Sequence, residues 1–377
     1  MKDLNLEQLD LLFDEIYQNL DVPKSLVKEA DLKYEELSTW LKQDSEKNFK
    51  SNSLLYPQGS NLLGTCVRAV KSSDDFDYDL VYVREIKKES TTQKELKTQV
   101  GDQLKRYLKH QKESNSPEIP ELTEGSRCWT LKYGKKFHMD ILPAIPDLEG
   151  SYTANKEDGI YITDKELREW CTSNPKGYNM WFRAQMKEQI NEERIKLAKA
   201  SHMEVQDIPE HEVKTILQRA IQILKRNRDL TYEGHKDNKP ISVIITTLAT
   251  HSYRKTSSLY QALQDILTNM ESFITRKNGE DWVTSPINAN ENFANKWNEF
   301  PERKKAFMAW LSSAKEEFLG LEKQGSAIQL SERLKKSLGD DTVTSALKKF
   351  EERTIKRALI TNAVNSVTTP TKPHGHF

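Results

Sequence analysis

Asp77, Asp79 and Asp140, with the turn at Gly59-Ser60, carry the clearest chemical signal in this chain. The stretch Tyr56-Pro57-Gln58-Gly59-Ser60-Asn61-Leu62-Leu63-Gly64-Thr65 sets a Gly-Ser turn ahead of a Gly-Thr. The next motif, Asp75-Phe76-Asp77-Tyr78-Asp79, runs into the apolar Leu80–Val83. In a strand successive side chains point to opposite faces, so Asp77 and Asp79 share a face with Cα atoms about 6.5–7 Å apart. Phe76, Tyr78, Leu80 and Tyr82 point the other way, towards a core. Two adjacent carboxylates repel unless a cation lies between them, and Mg²⁺ is a hard ion that prefers oxygen ligands. Backbone N–H groups of a Gly-Ser turn suit phosphate oxygens. Together these residues point to metal-assisted nucleotidyl transfer. Alone, an Asp-x-Asp or a Gly-Ser is compatible with a solvated turn; order, spacing and a third carboxylate argue for a site.

The elements that position them follow from periodicity. Residues 5–20 carry Leu6, Leu9, Leu12, Phe13, Ile16 and Leu20 at helical spacing, and Leu26 to Leu41 forms a second amphipathic stretch after Pro23. Leu54–Tyr56 leads into the Gly-Ser turn, Tyr78–Val83 reads as a strand, and Thr91–Lys112 as a charged helix ended by a loop at 114–120. Arg127–Tyr133 and Lys136–Leu142 read as paired strands round Gly134, with Asp140 in the second. An Asp in an apolar strand is costly unless paired or bound to metal; as the third carboxylate, Asp140 is expected to ligate, with His138 a neighbour on its face. Beyond Gly150 the expected helices are Asp164–Cys171, Tyr178–Ala200, Pro209–Arg228, Ser258–Thr275, Glu291–Lys323, Ser331–Leu338 and Thr342–Val364. The β-branched Ile241–Leu248 reads as a strand by propensity and a helix by its surroundings. The expected organisation is helices over 1–50 bracing the core, a core over 51–160, a helical lobe over 161–367 and a flexible tail over 368–377.

With Lys+Arg and Asp+Glu balanced at 57 each in 377 residues, no global charge bias favours nucleic acid or an anionic membrane. No apolar run approaches the roughly 20 residues of a membrane span, and no stretch reads as a signal peptide. Cys66, Cys128 and Cys171 are too scattered for a zinc knuckle or a disulfide framework, so reduced thiols in a cytoplasmic protein are expected.

Gly59-Ser60 through Gly64-Thr65, Asp77-x-Asp79 and Asp140 resemble the fingerprint of the CD-NTases, the nucleotidyltransferases related to cGAS and DncV. Asn174-Pro175-Lys176-Gly177-Tyr178 to Trp181-Phe182 resembles the start of the second lobe in bacterial members. Leu224-Lys225-Arg226-Asn227-Arg228-Asp229 and Pro240-Ile241-Ser242 to Ala249 resemble their helical-domain signature. The resemblance covers residues 50 to 260 and implies an α+β, bilobal, polymerase-β-like fold: a mixed-sheet nucleotidyltransferase core, a helical lobe and an active site in the cleft between. It implies a helix over Ile241–Leu248. It also implies synthesis from NTPs of a cyclic di- or trinucleotide that activates an antiphage (CBASS) effector.

In such a site Asp77 and Asp79 are implied to hold two Mg²⁺ ions (Mn²⁺ the alternative) against the triphosphate. Asp140 shares the metal that lowers the pKa of the acceptor ribose hydroxyl. Gly59 admits the phosphates and Ser60 adds a hydroxyl, while Lys225 and Ser242 match further triphosphate contacts. Without the resemblance these last two read equally as a helix-face Lys and a helix-start Ser. Gln58 and Arg183 are placed within reach of the nucleotide. Tyr253 is either a stacking platform for a base or ordinary packing. Transfer to RNA ends or a small molecule, and an inactive nucleotide-binding scaffold, stay open as alternatives. No clustered Cys/His insertion supports a zinc-dependent DNA sensor. A regulator acting on the tail is a further implied partner.

Overall fold

Alternation along Phe76–Arg84 builds the central strand. Phe76, Tyr78, Leu80 and Tyr82 are buried on one face of it, and Val81 and Val83 are buried on the other. The computed structural model describes residues 5–71, 75–150, 158–163, 169–234, 237–323 and 327–367. Among these, β1 (Ser53–Pro57), β2 (Phe76–Arg84), β3 (Glu121–Glu124), β4 (Trp129–Tyr133), β5 (Phe137–Pro146), β6 (Ile160–Thr163) and β7 (Trp170–Ser173) form one sheet. Its order is β1-β2-β5-β4-β3, with β6 joined to β5 and β7 to β6. The β2–β5 pair is parallel and the others are antiparallel. The sheet is therefore mixed, as the resemblance implies.

Thirteen α-helices accompany it among the described residues. The two N-terminal helices part company. The helix α2 (Lys24–Phe49) packs on β1 and on α4 (Gln93–Glu113), whereas α1 (Leu6–Gln18) packs into the helical lobe. There Phe13 of α1 stacks on Tyr260 at 5.6 Å between ring centroids. The lobe holds α7 (Ile216–Thr231), α8 (Ser242–Ser252) and α9 (Leu259–Asn269) at its centre. The stretch Ile241–Leu248 thus resolves as helix from Ser242 onwards, with Ile244–Leu248 buried in a largely helical core that overrides β propensity.

Several expected elements are corrected. Asp164–Cys171 is not one helix. Residues 164–168 lie outside the described set, and Trp170 and Cys171 belong to β7, paired with Thr163 and Ile162 of β6. The sheet thus continues past residue 160. Tyr178–Ala200 divides into α5 (Pro175–Ala184) and α6 (Lys187–Ser201), because Met186 leaves helical geometry and its buried sulfur accepts a hydrogen bond from Thr215. Within Pro209–Arg228 the first turn is a separate 3₁₀ segment, Glu210–Glu212. Ser258–Thr275 ends early, with Thr275 entering a hairpin of β8 (Thr275–Lys277) and β9 (Glu280–Trp282). Glu291–Lys323 begins in a second hairpin, β10 (Thr284–Ser285) and β11 (Asn288–Asn292), and reaches helix α11 (Pro301–Phe318) only at Pro301, which suits a first helical turn but not an interior. The tail 368–377 lies outside the described residues. No helix among the described residues is long and apolar enough to cross a membrane.

At Gly101 of α4 the indole of Trp129 on β4 comes close. A Cβ there would stand 2.2 Å from Cζ2 of Trp129, whose indole donates to Lys97 O at 2.9 Å. Replacing glycine by alanine in a helix gains up to about 1 kcal/mol of propensity. Overpacking costs about 1–3 kcal/mol, so Gly101→Ala is expected to lose stability. A lower urea midpoint with unchanged slope is the expected reading; a raised midpoint would contradict the close approach.

Candidate active site

The parallel register of β2 and β5 assembles the acidic face. Asp79 lies beside Asp140 and Asp77 beside His138. One ligand atom each from Asp77, His138 and Asp140 come within 4.8 Å of one another. Thr130, opposite Asp140 on β4, donates to its Oδ1 at 2.5 Å. His138 Nδ1 stands 3.2 Å from Asp75 Oδ2 and its Nε2 3.3 Å from Asp77 Oδ1.

Against this face lies α3 (Gly59–Leu63), entered through Gln58, whose backbone N–H donates to Asp79 O at 2.9 Å. Gly59 has φ +56°, and a Cβ there would stand 2.8 Å from Asp79 Oδ2. Only glycine fits both the backbone and the space. The loop after α3 is gripped by α7. Gln218 donates to Leu63 O at 2.9 Å, Gln222 to Cys66 O at 2.5 Å, Lys225 to Thr65 O at 2.9 Å and Arg226 to Arg68 O at 2.6 Å. Arg228 Nη1 then donates to the Ser242 hydroxyl at 2.8 Å, and Asp229 pairs with both Arg228 and Lys239 at 2.6 Å.

Two cavities meet at these residues. A polar cleft of about 880 Å³ is lined by Asp75, Asp77 and Asp79 and by the cations Lys132, Lys225, Arg228 and Lys239. A mostly apolar pocket of about 190 Å³ is lined by Tyr178, Val243, Ile287 and Phe293 among others. Gly59, Ser60, Lys225 and Ser242 line both.

The electrostatics of the cleft are those of a cation site. Burial, and then the charges of Asp77 and Asp140, push the Asp79 carboxyl up to about 7. The hydrogen bond to Asp77 pulls the His138 imidazole up to about 9. Burial holds the Lys225 ammonium down at about 8. A carboxyl that keeps its proton beside two other carboxylates is short of positive charge, and oxygen donors so crowded fit a hard divalent ion.

The profile described as the Second Messenger Oligonucleotide or Dinucleotide Synthetase domain matches residues 8–185. A c-di-GMP synthase of Roseivirga ehrenbergii is 26% identical over 342 residues, 90% of this chain and 86% of that protein. The cyclic dinucleotide synthase CdnG of Bradyrhizobium diazoefficiens is 24% identical over 372 residues, 92% of this chain and 84% of that one. Over most of its length the chain is similar to these two synthases, and the synthetase-domain match covers just under half of it. The fold agrees: the CdnG structure in complex with GTP superposes with TM-score 0.69 at 23% identity, over 91% of this chain and 99% of that one. A complex of E. coli CdnC with HORMA gives TM-score 0.62 at 12% identity, over 89% and 98%.

The motif residues converge: Gly59, Ser60, Asp77, Asp79, Lys225 and Ser242 share one cleft, with Asp140 in register beside Asp79. Others do not join them. The Arg183 guanidinium pairs with Glu210, and Gln58 contributes its backbone to Asp79. Tyr253 is buried at the end of α8, its hydroxyl donating to Thr256 O at 3.2 Å, so it packs rather than forming a platform. Arg228, which the quoted signature includes without a role, and Lys239 and Lys132, which no motif includes, also line the cleft.

The raised Asp79 carboxyl has a definite sign. In the metal-free protein the folded state holds a proton that the unfolded chain releases near 3.8, so stability falls as pH rises from about 4 to 7. Asp79→Asn removes that penalty. At pH 8 without divalent ion its Tm is expected about 3–6 °C above the parent, converging near pH 4 and gaining less from added Mg²⁺. A lower Tm for Asp79→Asn at pH 8 in chelator would contradict the crowding.

Proposed function

We propose that this chain uses NTPs and a divalent cation to make a cyclic dinucleotide, by two successive nucleotidyl transfers in the cleft. One observation supports the reading above the others. An apolar pocket and an acidic, cation-lined cleft meet at Gly59, Ser60, Lys225 and Ser242. A nucleoside triphosphate has that polarity, with a flat base at one end and a polyanion at the other. The names of both curated relatives, each a cyclic-dinucleotide or c-di-GMP synthase, favour this over transfer to RNA ends.

In this reading Asp77, Asp79 and Asp140 hold two Mg²⁺ ions. When bound, such ions, with Mn²⁺ a substitute, would neutralise the triphosphate and lower the pKa of the acceptor ribose hydroxyl. Thr130 fixes the rotamer of Asp140 through its hydrogen bond. Asp79 gives up its proton to solvent when a cation replaces it. Gly59 keeps space for Asp79 and a close backbone approach, and the Ser60 hydroxyl faces the phosphates. Lys225 and Arg228 answer the triphosphate charge, Arg228 also holding the Ser242 hydroxyl in place. An arriving anion restores the Lys225 ammonium that burial disfavours. For the second transfer the linear intermediate turns round in the same cleft. Its product serves as a messenger for an antiphage effector, with regulation by a partner acting on residues 368–377.

The protein is incubated with each labelled NTP and every pair, with Mg²⁺, treated with phosphatase, and its products resolved. A phosphatase-resistant cyclic species is expected, reduced about 10³-fold or more in Asp77→Ala/Asp79→Ala. Products formed only with added RNA would overturn the cyclase, and bound nucleotide without turnover would favour a scaffold.

A further inference from the structure

Among the described residues, the side chains spaced to hold a metal ion include a histidine as well as two of the three aspartates: Asp77, His138 and Asp140. The parallel register sets His138 of β5 beside Asp77 of β2. His138 and Asp140 are two apart in the same strand, so the imidazole lies on the acidic face of the sheet. Its Nε2 stands 3.3 Å from Asp77 Oδ1. That separation is at the long edge of an N–H···O bond. It is close to the roughly 3 Å between neighbouring ligand atoms of an octahedral ion whose bonds are about 2.1 Å long.

The far side of the half-buried ring is held as well. Its Nδ1 stands 3.2 Å from Asp75 Oδ2, and that oxygen lies 3.5 Å from Lys132 Nζ. Neither Asp75 nor His138 has a part in the two-ion scheme. A histidine that ligates a metal through one nitrogen characteristically donates the N–H of the other to a carboxylate. The carboxylate fixes the tautomer and the ring orientation and makes the ligand more basic. Asp75, His138 and the space shared by Asp77 and Asp140 stand in that order. The ligating imidazole is neutral, so the ion takes the place of the Nε2 proton that otherwise points at Asp77.

A nitrogen ligand discriminates among ions. Mg²⁺ prefers oxygen and gains little from imidazole, whereas first-row transition ions accept it. Of these, Mn²⁺ also suits the octahedral, oxygen-rich sphere that two carboxylates and water provide. We propose that His138 Nε2 is a ligand of the ion shared by Asp77 and Asp140, with Asp75 the positioning residue for its ring, so that this centre favours Mn²⁺ over Mg²⁺. This rests on the cleft being a divalent-metal site. It deepens that reading by adding a ligand and naming the ion that the ligand selects.

The test uses the full chain, freed of metal and given Mn²⁺ alone at less than one equivalent. Pulsed EPR of the bound ion is expected to show coupling to a coordinated imidazole nitrogen in the parent and none in His138→Gln. In calorimetric titrations His138→Gln is expected to weaken Mn²⁺ binding about 10–100-fold and Mg²⁺ binding less than about threefold. Asp75→Asn is expected to keep the nitrogen coupling and to weaken Mn²⁺ about 10-fold with little effect on Mg²⁺, whereas a merely structural aspartate would weaken both ions alike. Bound Mn²⁺ without nitrogen coupling in the parent, or coupling that survives in His138→Gln, overturns the assignment while leaving the three aspartates and nucleotidyl transfer intact. Should His138→Gln fail to fold, judged by its melting curve, the parent's spectrum decides: an all-oxygen sphere overturns the proposal and nitrogen coupling supports it. Mn²⁺ that does not bind at all overturns the metal site itself, and the ligand assignment with it.

Discussion

The grip of α7 on the loop following α3 is the interaction on which the rest of this structure depends. The carbonyls of Leu63, Thr65, Cys66 and Arg68 find donors in Gln218, Lys225, Gln222 and Arg226 rather than in a strand or helix of their own. From Gln218 to Gln222, and from Gln222 to Lys225 and Arg226, the donors follow at steps of three or four residues along α7 and so fall on one stripe of its surface. Each buried carbonyl left without a partner costs about 1–3 kcal/mol, so the loop keeps its shape only while α7 is present. The same stripe joins the helical lobe to the sheet lobe. It thereby fixes the distance between Asp79 on β2 and the cations of α7, which neither lobe could fix alone.

Within that frame the carboxylates are held by the register of β2 and β5. Backbone hydrogen bonds set Asp79 beside Asp140 without regard to their mutual repulsion. The sheet thus stores an electrostatic cost in the free protein, visible in the raised Asp79 carboxyl, that a bound cation would relieve. Lys225 carries the complementary cost, as an ammonium buried where an anion belongs. Both groups are disfavoured alone and suited to a metal-bound polyphosphate, as expected where binding outweighs local stability.

Much of the site was legible before folding because its parts are local. Asp77 and Asp79 alternate within one strand, and Gly59 and Ser60 are neighbours in one turn. Asp140 stood out as a carboxylate in an apolar strand. Lys225 and Ser242 drew attention through resemblance rather than chemistry, since each reads in isolation as an ordinary helix residue. The clearest failure was Glu291. It opens the expected helix Glu291–Lys323, whereas Asn292 uses its side chain to close a hairpin. That closure depends on Val283 and Asp281, nine and eleven positions away along the chain, which a local pattern does not register. For Tyr253 the structure takes the packing alternative: the aromatic near the motif is core.

The sequence by itself determined the α+β class, the acidic face of β2, the glycine that such a face requires, and the family resemblance. These depend on neighbours in the chain and on the two periods of regular backbone. Only the tertiary structure decided that Asp79 pairs with Asp140, that Arg228 and Lys239 enter the cleft, and that Glu291 rather than Tyr253 faces the apolar pocket. Strand register and lobe docking are set by long-range burial and by hydrogen bonds between distant segments. No local pattern encodes them.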